Sequence, residues 1–214
     1  MKIEIWADII CPWCGLGAHR LDRAVAEAVA GGADITVVHR SFQLDPDAPI
    51  EPHPVREMLR ARGYDEAQLT ASWERIEAMA TAEGLAPYQL DNVTGNTRRA
   101  HELLALAAAR GLEDIAWRTM YRAYWGEKLP IFTIEHLVPI GERIGLPAED
   151  VRDVLRDERY RDTVTGDLRA AAQLGVRGVP FVLLDRRLAV SGAQPLEVFA
   201  GAIAQGLTDA RSTG

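Results

Sequence analysis

Period-two apolar alternation occurs only near the two ends of this chain, with a long tract of helical periodicity between them. Residues 2–7 alternate about Ile3 and Ile5, as a strand does. After a sharp turn, Leu21, Val25, Ala28 and Val29 recur at helical spacing until Gly31-Gly32 stops the pattern. Residues 35–40, rich in β-branched side chains, read as a second strand. The chain therefore opens as a strand–helix–strand unit. Beyond Gly175, Phe181-Val182-Leu183-Leu184 and Leu188-Ala189-Val190 read as strands joined in a hairpin by Asp185-Arg186-Arg187. A closing helix runs from Gln194 to about Gly206, with Leu196, Phe199 and Ile203 facing inward.

Between these ends, residues 45–54 form a bridge containing Pro46, Pro49, Pro52 and Pro54. Helices follow to about Gly175. Asp65 with Gln68 resembles a capping box ahead of the stripe Leu69, Trp73, Ile76 and Ala80. Further stripes are Ala100-Leu103-Leu104-Ala107, Trp117-Met120-Tyr121-Tyr124 and Leu137-Ile140-Ile144. The aromatic stripe reads as helix packing.

With 214 residues, 48% of them hydrophobic and 26% charged, the chain can bury a core without disulfide staples. The net charge of −7 comes with no Lys/Arg block that could track phosphates, which argues against a nucleic-acid partner. Arg98-Arg99 and Arg186-Arg187 read as solvated pairs. No segment approaches the ~20 apolar residues of a membrane span. Glu4 and Asp8 interrupt any apolar leader region, so a cytoplasmic protein is expected. Composition sets no oligomeric state.

The two cysteines, Cys11 and Cys14, fall where the first helix begins. A disulfide closing so short a loop would stabilise the fold little, so the pair calls for a chemical explanation. At a helix start, free backbone N–H groups and the positive end of the helix dipole favour a thiolate. A second cysteine one turn later can close a disulfide with it. Pro12 suits the first turn, where its missing N–H would have had no intrahelical partner. In this reading Cys11 attacks a substrate disulfide, and Cys14 resolves the resulting mixed disulfide. No metal or organic cofactor is required. Zinc would need two further ligands, and haem attachment a His where Gly15 stands. A chance pair of core thiols is disfavoured by the strand–turn–helix context.

Gly178-Val179-Pro180-Phe181 stands at the entry to a strand, where Val179 could offer its backbone to a bound peptide or thiol substrate. Together with Ile5-Trp6-Ala7-Asp8, Cys11-Pro12-Trp13-Cys14, Phe42-Gln43-Leu44-Asp45-Pro46, Asn96-Thr97, Ala100-His101 and Ser191-Gly192-Ala193-Gln194-Pro195, this segment resembles the FrnE-like branch of the DsbA family. The resemblance covers nearly the whole chain. It implies an α/β thioredoxin-like fold with an inserted all-helical domain, a redox-active disulfide at Cys11 and Cys14, and a cis peptide before Pro180. On that basis residues 1–50 and 165–214 are expected to form the thioredoxin-like domain, and 51–164 the helical one.

The partner is expected to be a thiol or disulfide substrate, protein or small molecule, with glutathione as a candidate co-substrate. Pro12, Trp13, Phe42, His101, Val179 and Pro180 are the candidate substrate-binding residues. Asp8 is read as satisfying turn amides, with proton acceptance from Cys14 as the alternative. Two departures from family patterns matter. DsbA carries His between its cysteines, whereas Trp13 brings no positive charge; and a C-terminal cysteine pair found in some FrnE-like relatives is missing, which excludes a relay between two disulfides. Kappa-type glutathione-dependent transferases and isomerases share the implied fold. They usually place Ser where Cys11 stands and carry an Asp-Arg pair where this chain has Ala193-Gln194. A non-enzymatic chaperone-like role is the remaining alternative, and fold alone does not reject it.

Overall fold

In the computed structural model the strand expected at residues 2–7 forms as β1 (Lys2–Ala7) and becomes the pivot of a four-stranded sheet. Residues 1–212 are described, with side chains through 209. In chain order there follow α1 (Pro12–Ala30), β2 (Thr36–Ser41), β3 (His53–Pro54), α2 (Val55–Ala61), α3 (Glu66–Ala82), β4 (Val93–Thr94), α4 (Arg98–Ala109) and α5 (Glu113–Tyr121). A single π-helical turn, Arg122–Gly126, leads on to α6 (Ile134–Ile144), α7 (Ala148–Arg156), α8 (Arg161–Gln173), β5 (Phe181–Leu184), β6 (Leu188–Ser191) and α9 (Leu196–Ser212). No helix among the described residues is long and apolar enough to cross a membrane.

Two compact units result, one of residues 1–44 with those from 167 onward, the other of residues 45–166. Boundaries had been expected at 50/51 and 164/165; the Pro-rich bridge belongs wholly to the helical unit. The first unit is an α/β domain of thioredoxin-like fold. Its sheet order is β2–β1–β5–β6, with β1 parallel to β2 and antiparallel to β5, and β5 antiparallel to β6. Central β1 is enclosed on both faces. Ile3 and Ile5 are fully buried on one, and Trp6 on the other packs with Ala171 of α8 and Leu183 of β5. Side chains of this size each favour the folded state by roughly 1.5–3 kcal/mol over exposure. Helices α1 and α9 pack together, and α9 also meets β5 and β6.

Between Ile3 and Ile5, Glu4 points to the opposite side of β1 and is buried on the face that carries Trp6. Its carboxylate accepts hydrogen bonds from Arg40 Nε at 3.1 Å and Nη2 at 2.7 Å, with Arg186 at 3.2 Å and Lys2 at 3.5 Å. Burial pushes the Glu4 carboxyl up, but these cations outweigh it and hold it below its ordinary value. Arg40 also bonds Asp167 at 3.2 Å, and Asp167 accepts from the Ser41 backbone. The β5–β6 hairpin turns at Asp185 and Arg186, both left-handed at φ 45° and 57°, matching the twist of the flanking strands.

The helical unit places α4 against α5, α6 and α7. Asp65 caps α3 by accepting from Gln68 N at 2.9 Å. Helices α6 and α7 approach closely at Gly141, where an added Cβ would meet Val151 at 2.7 Å. The π-helical turn carries Tyr124 and Trp125 inward, and Tyr124 donates to the Val93 carbonyl at 2.7 Å. Trp117 and Tyr124 are buried packing residues. The two-residue ladder of β3 with β4 pairs His53 with Thr94 and Pro54 with Val93.

Candidate active site

Cys11 is the N-cap of α1, extended at φ −86° and ψ 114°, and Pro12 occupies the first helical position. The residues before it turn sharply, with Cys11 N bonded to the Asp8 carbonyl at 3.2 Å. The first turn of α1 holds no acidic side chain, so nothing within it offsets the positive potential of its free N–H groups. Cys14 follows one turn on, its N–H bonded to the Cys11 carbonyl at 3.0 Å. No disulfide joins the two cysteines in this structure.

The two sulfurs differ in environment. Cys11 retains 5% of its surface, whereas Cys14 retains none. Burial pushes the Cys14 thiol well above its usual range, its hydrogen bond to Cys11 acts in the same direction, and the charge of Asp8 adds to both. A backbone hydrogen bond from Asp8 opposes them. At neutral pH Cys14 therefore holds its proton and donates it towards the Cys11 sulfur. Asp8 is itself fully buried, and its carboxylate accepts from Leu44 N at 2.8 Å, a residue 36 positions on and outside the turn it was expected to satisfy.

The Val179–Pro180 peptide is cis, and the Val179 carbonyl faces Cys11 Sγ at 3.6 Å. The ladder of β5 with its neighbours begins only at Phe181, so Val179 lies outside it. The structure thus brings Cys11, Cys14, Pro12, Val179 and Pro180 into one locality of the thioredoxin-like unit. Half-exposed Trp13 stands between the cysteines on α1. Phe42 packs with Val179 and Phe181 against the Trp6 cluster, so much of its surface is committed to the core.

His101, expected to contact substrate, is instead wholly enclosed on α4 in the helical unit, its ring 5.8 Å from that of Trp117. A ring with no exposed surface packs and does not present itself to a ligand. Beside it Glu102 is buried with both oxygens lacking a hydrogen-bond partner among the described residues. Nothing in the sequence pattern singled it out, nor did anything mark Arg20, whose guanidinium bonds the turn after β6. Among the described residues no group of three or more His, Cys, Asp or Glu side chains is placed to hold a metal ion.

A thioredoxin-like unit with paired thiols at a helix N-terminus beside a cis-proline strand defines a class, and the family model for the DsbA-like thioredoxin domain matches residues 2–204. The chain belongs to that family. It is 43% identical to a probable DsbA oxidoreductase of Streptomyces coelicolor, the match covering 97% of this chain and 90% of that one at a TM-score of 0.91. Two more distant structures share the fold. One is a 2-hydroxychromene-2-carboxylate isomerase, at 16% identity and TM-score 0.73 with both chains fully covered. The other is the cytosolic disulfide reductase DsbM of Pseudomonas aeruginosa, solved with glutathione, at 18% identity and TM-score 0.67 over 97% of this chain and 100% of that one. Comparison with curated protein sequences finds no match.

Proposed function

We propose that the chain is a thiol–disulfide oxidoreductase that works through the Cys11–Cys14 pair, of the FrnE-like branch suggested by its motifs. The observation that carries the reading is the asymmetry of the two thiols. Cys11, at a helix N-terminus, keeps a small exposed surface, and Cys14 is wholly enclosed, protonated and directed at it. Cys11 sulfur attacks a substrate disulfide, forming one S–S bond as the substrate's own breaks; the departing sulfur leaves as thiolate and takes up a proton. Cys14 then gives up its proton, bonds to Cys11 sulfur and releases the second substrate thiol. Two electrons pass from the pair to the substrate, and the same steps reversed oxidise a dithiol. Electrons move between sulfurs alone, so no metal or organic cofactor takes part.

Val179 supports a docking role in this reading. Its backbone lies beside Cys11 and outside the sheet ladder, open to an extended substrate that pairs with it strand-fashion. Glutathione is a fitting redox partner, and the direction in which its pool drives the pair is set by the pair's own reduction potential. The test is equilibration of the protein across a glutathione redox series, followed by thiol alkylation and mass measurement. A reversible two-electron transition assigned to Cys11 and Cys14 is expected, and its midpoint gives the direction of work. Thiols that stay reduced throughout, or that yield only a Cys11–glutathione adduct, refute the dithiol mechanism.

A further inference from the structure

Helix α1 does more than carry the two cysteines. Gly17, one turn beyond Cys14, has no room for a side chain: an added Cβ would lie 2.7 Å from Pro180 Cγ and 3.4 Å from Ala193 Cα. Arg20, a further turn along, donates from Nη1 to the Ala193 carbonyl at 2.6 Å and to that of Gln194 at 3.4 Å. That turn is closed internally by Gln194 N on Gly192 O at 2.8 Å and by Gln194 Nε2 on Ser191 O at 2.9 Å. Gly192, left-handed at φ 82°, donates its N–H to the Pro180 carbonyl at 2.8 Å. A continuous line of contacts therefore runs from Arg20 through the 191–194 turn to Pro180, and so to the Val179 carbonyl facing Cys11.

We propose that Arg20 is a positioning residue that anchors the Val179–Pro180 segment against Cys11 and thereby favours peptide disulfides over small-molecule ones. The proposal rests on the thiol–disulfide reading above. An extended peptide must align with the Val179 backbone for its sulfur to reach Cys11, so it depends on where that segment is held. A small aromatic disulfide needs only Cys11 sulfur. A single nitrogen, Nη1, serves both carbonyls, and a lysine ammonium, on a stem one bond shorter, reaches that position only in part.

The test compares wild type with Arg20→Ala and Arg20→Lys. The readouts are steady-state reduction of a cystine-containing decapeptide with glutathione restoring the dithiol, the single-turnover reaction of prereduced protein with 5,5′-dithiobis(2-nitrobenzoate), and amide hydrogen exchange at Gly192 followed by NMR. Loss of a charge-assisted hydrogen bond to the turn predicts that Gly192 exchange in Arg20→Ala accelerates about tenfold, with the β1 amides unchanged. The KM for the peptide rises about fivefold, while kcat and the small-disulfide rate stay within about twofold. Arg20→Lys recovers part of each loss. Equal losses on both substrates, or a rise in Gly192 exchange without a change in peptide KM, overturn the substrate preference. Unchanged Gly192 exchange overturns the anchoring itself, whatever the activity. Wild-type protein inert towards both disulfides overturns the thiol reading and the preference with it, while Gly192 exchange still decides the anchoring.

Discussion

Replacing Glu102 by Gln isolates the energetic effect of a buried carboxyl group. Glu102 lies on α4 with no exposed surface, and both its oxygens lack hydrogen-bond partners among the described residues. Burial, reinforced by the negative charge of Glu158, raises its pKa from the ordinary 4.5 to about 7. Arg98, at 3.9 Å, opposes this, as do Arg161 and Arg99. The folded state thus holds a proton that the unfolded chain releases near pH 4.5. The stability associated with that proton is complete below pH 4.5 and is lost as pH rises through about 7. At about 1.4 kcal/mol per pH unit, the interval amounts to about 3 kcal/mol by pH 8. Glutamine has the shape of the neutral acid and no proton to lose. In urea titrations followed by tryptophan fluorescence, the stability gain of Glu102→Gln over wild type should grow from under about 1 kcal/mol at pH 5 to about 3 kcal/mol at pH 8. The slope carries the test, because the hydrogen bonds missing for the amide are also missing for the protonated acid. A difference that stays flat with pH, or a loss of stability that deepens towards pH 8, would refute the reasoning.

Two further outcomes follow from the thioredoxin-like unit. Arg40→Ala leaves Glu4 buried with only Lys2 and Arg186 nearby, and should cost about 2–3 kcal/mol at pH 7. The loss should shrink as pH falls through the depressed Glu4 pKa below 4.5; urea midpoints at pH 7 and pH 4 measure it, and equal losses at both would dissociate Arg40 from Glu4. In the proposed mechanism Cys14 is the resolving thiol, so Cys14→Ser should slow release of a Cys11–peptide mixed disulfide by about a hundredfold or more. Intact mass under non-reducing conditions follows the adduct, and release at the wild-type rate would remove Cys14 from the mechanism.

The strands were legible because one residue in two must turn to the core. β1 and β5 stand at the expected residues, and β2 begins one residue later than its β-branched run. The cysteine pair was legible because its spacing and its place at a helix start are both local. The burial of Glu4 was not legible, because alternation assumes one wet face, whereas a central strand covered on both sides has none. Glu102 was passed over for a related reason. The stripe Ala100, Leu103, Leu104 and Ala107 marks one buried face, but α4 meets α5, α6 and α7 and buries flanking positions as well. The β3–β4 ladder is too short to show a period. Arg20 bonds carbonyls more than 170 positions away, a relation that exists only once the chain has folded.

The cis-proline segment that faces Cys11 follows it by 168 residues in the chain. At roughly 5–20 residues per second, translation leaves the cysteines without that segment for about ten to thirty seconds. Throughout that interval the nascent chain also lacks β5, the strand that covers one edge of β1. Neither thiol has yet been given its separate environment, and either can be captured by a passing disulfide. Before the sheet closes, the pair is a client of the cell's redox chemistry; only afterwards can it become the agent that the proposed function makes of it.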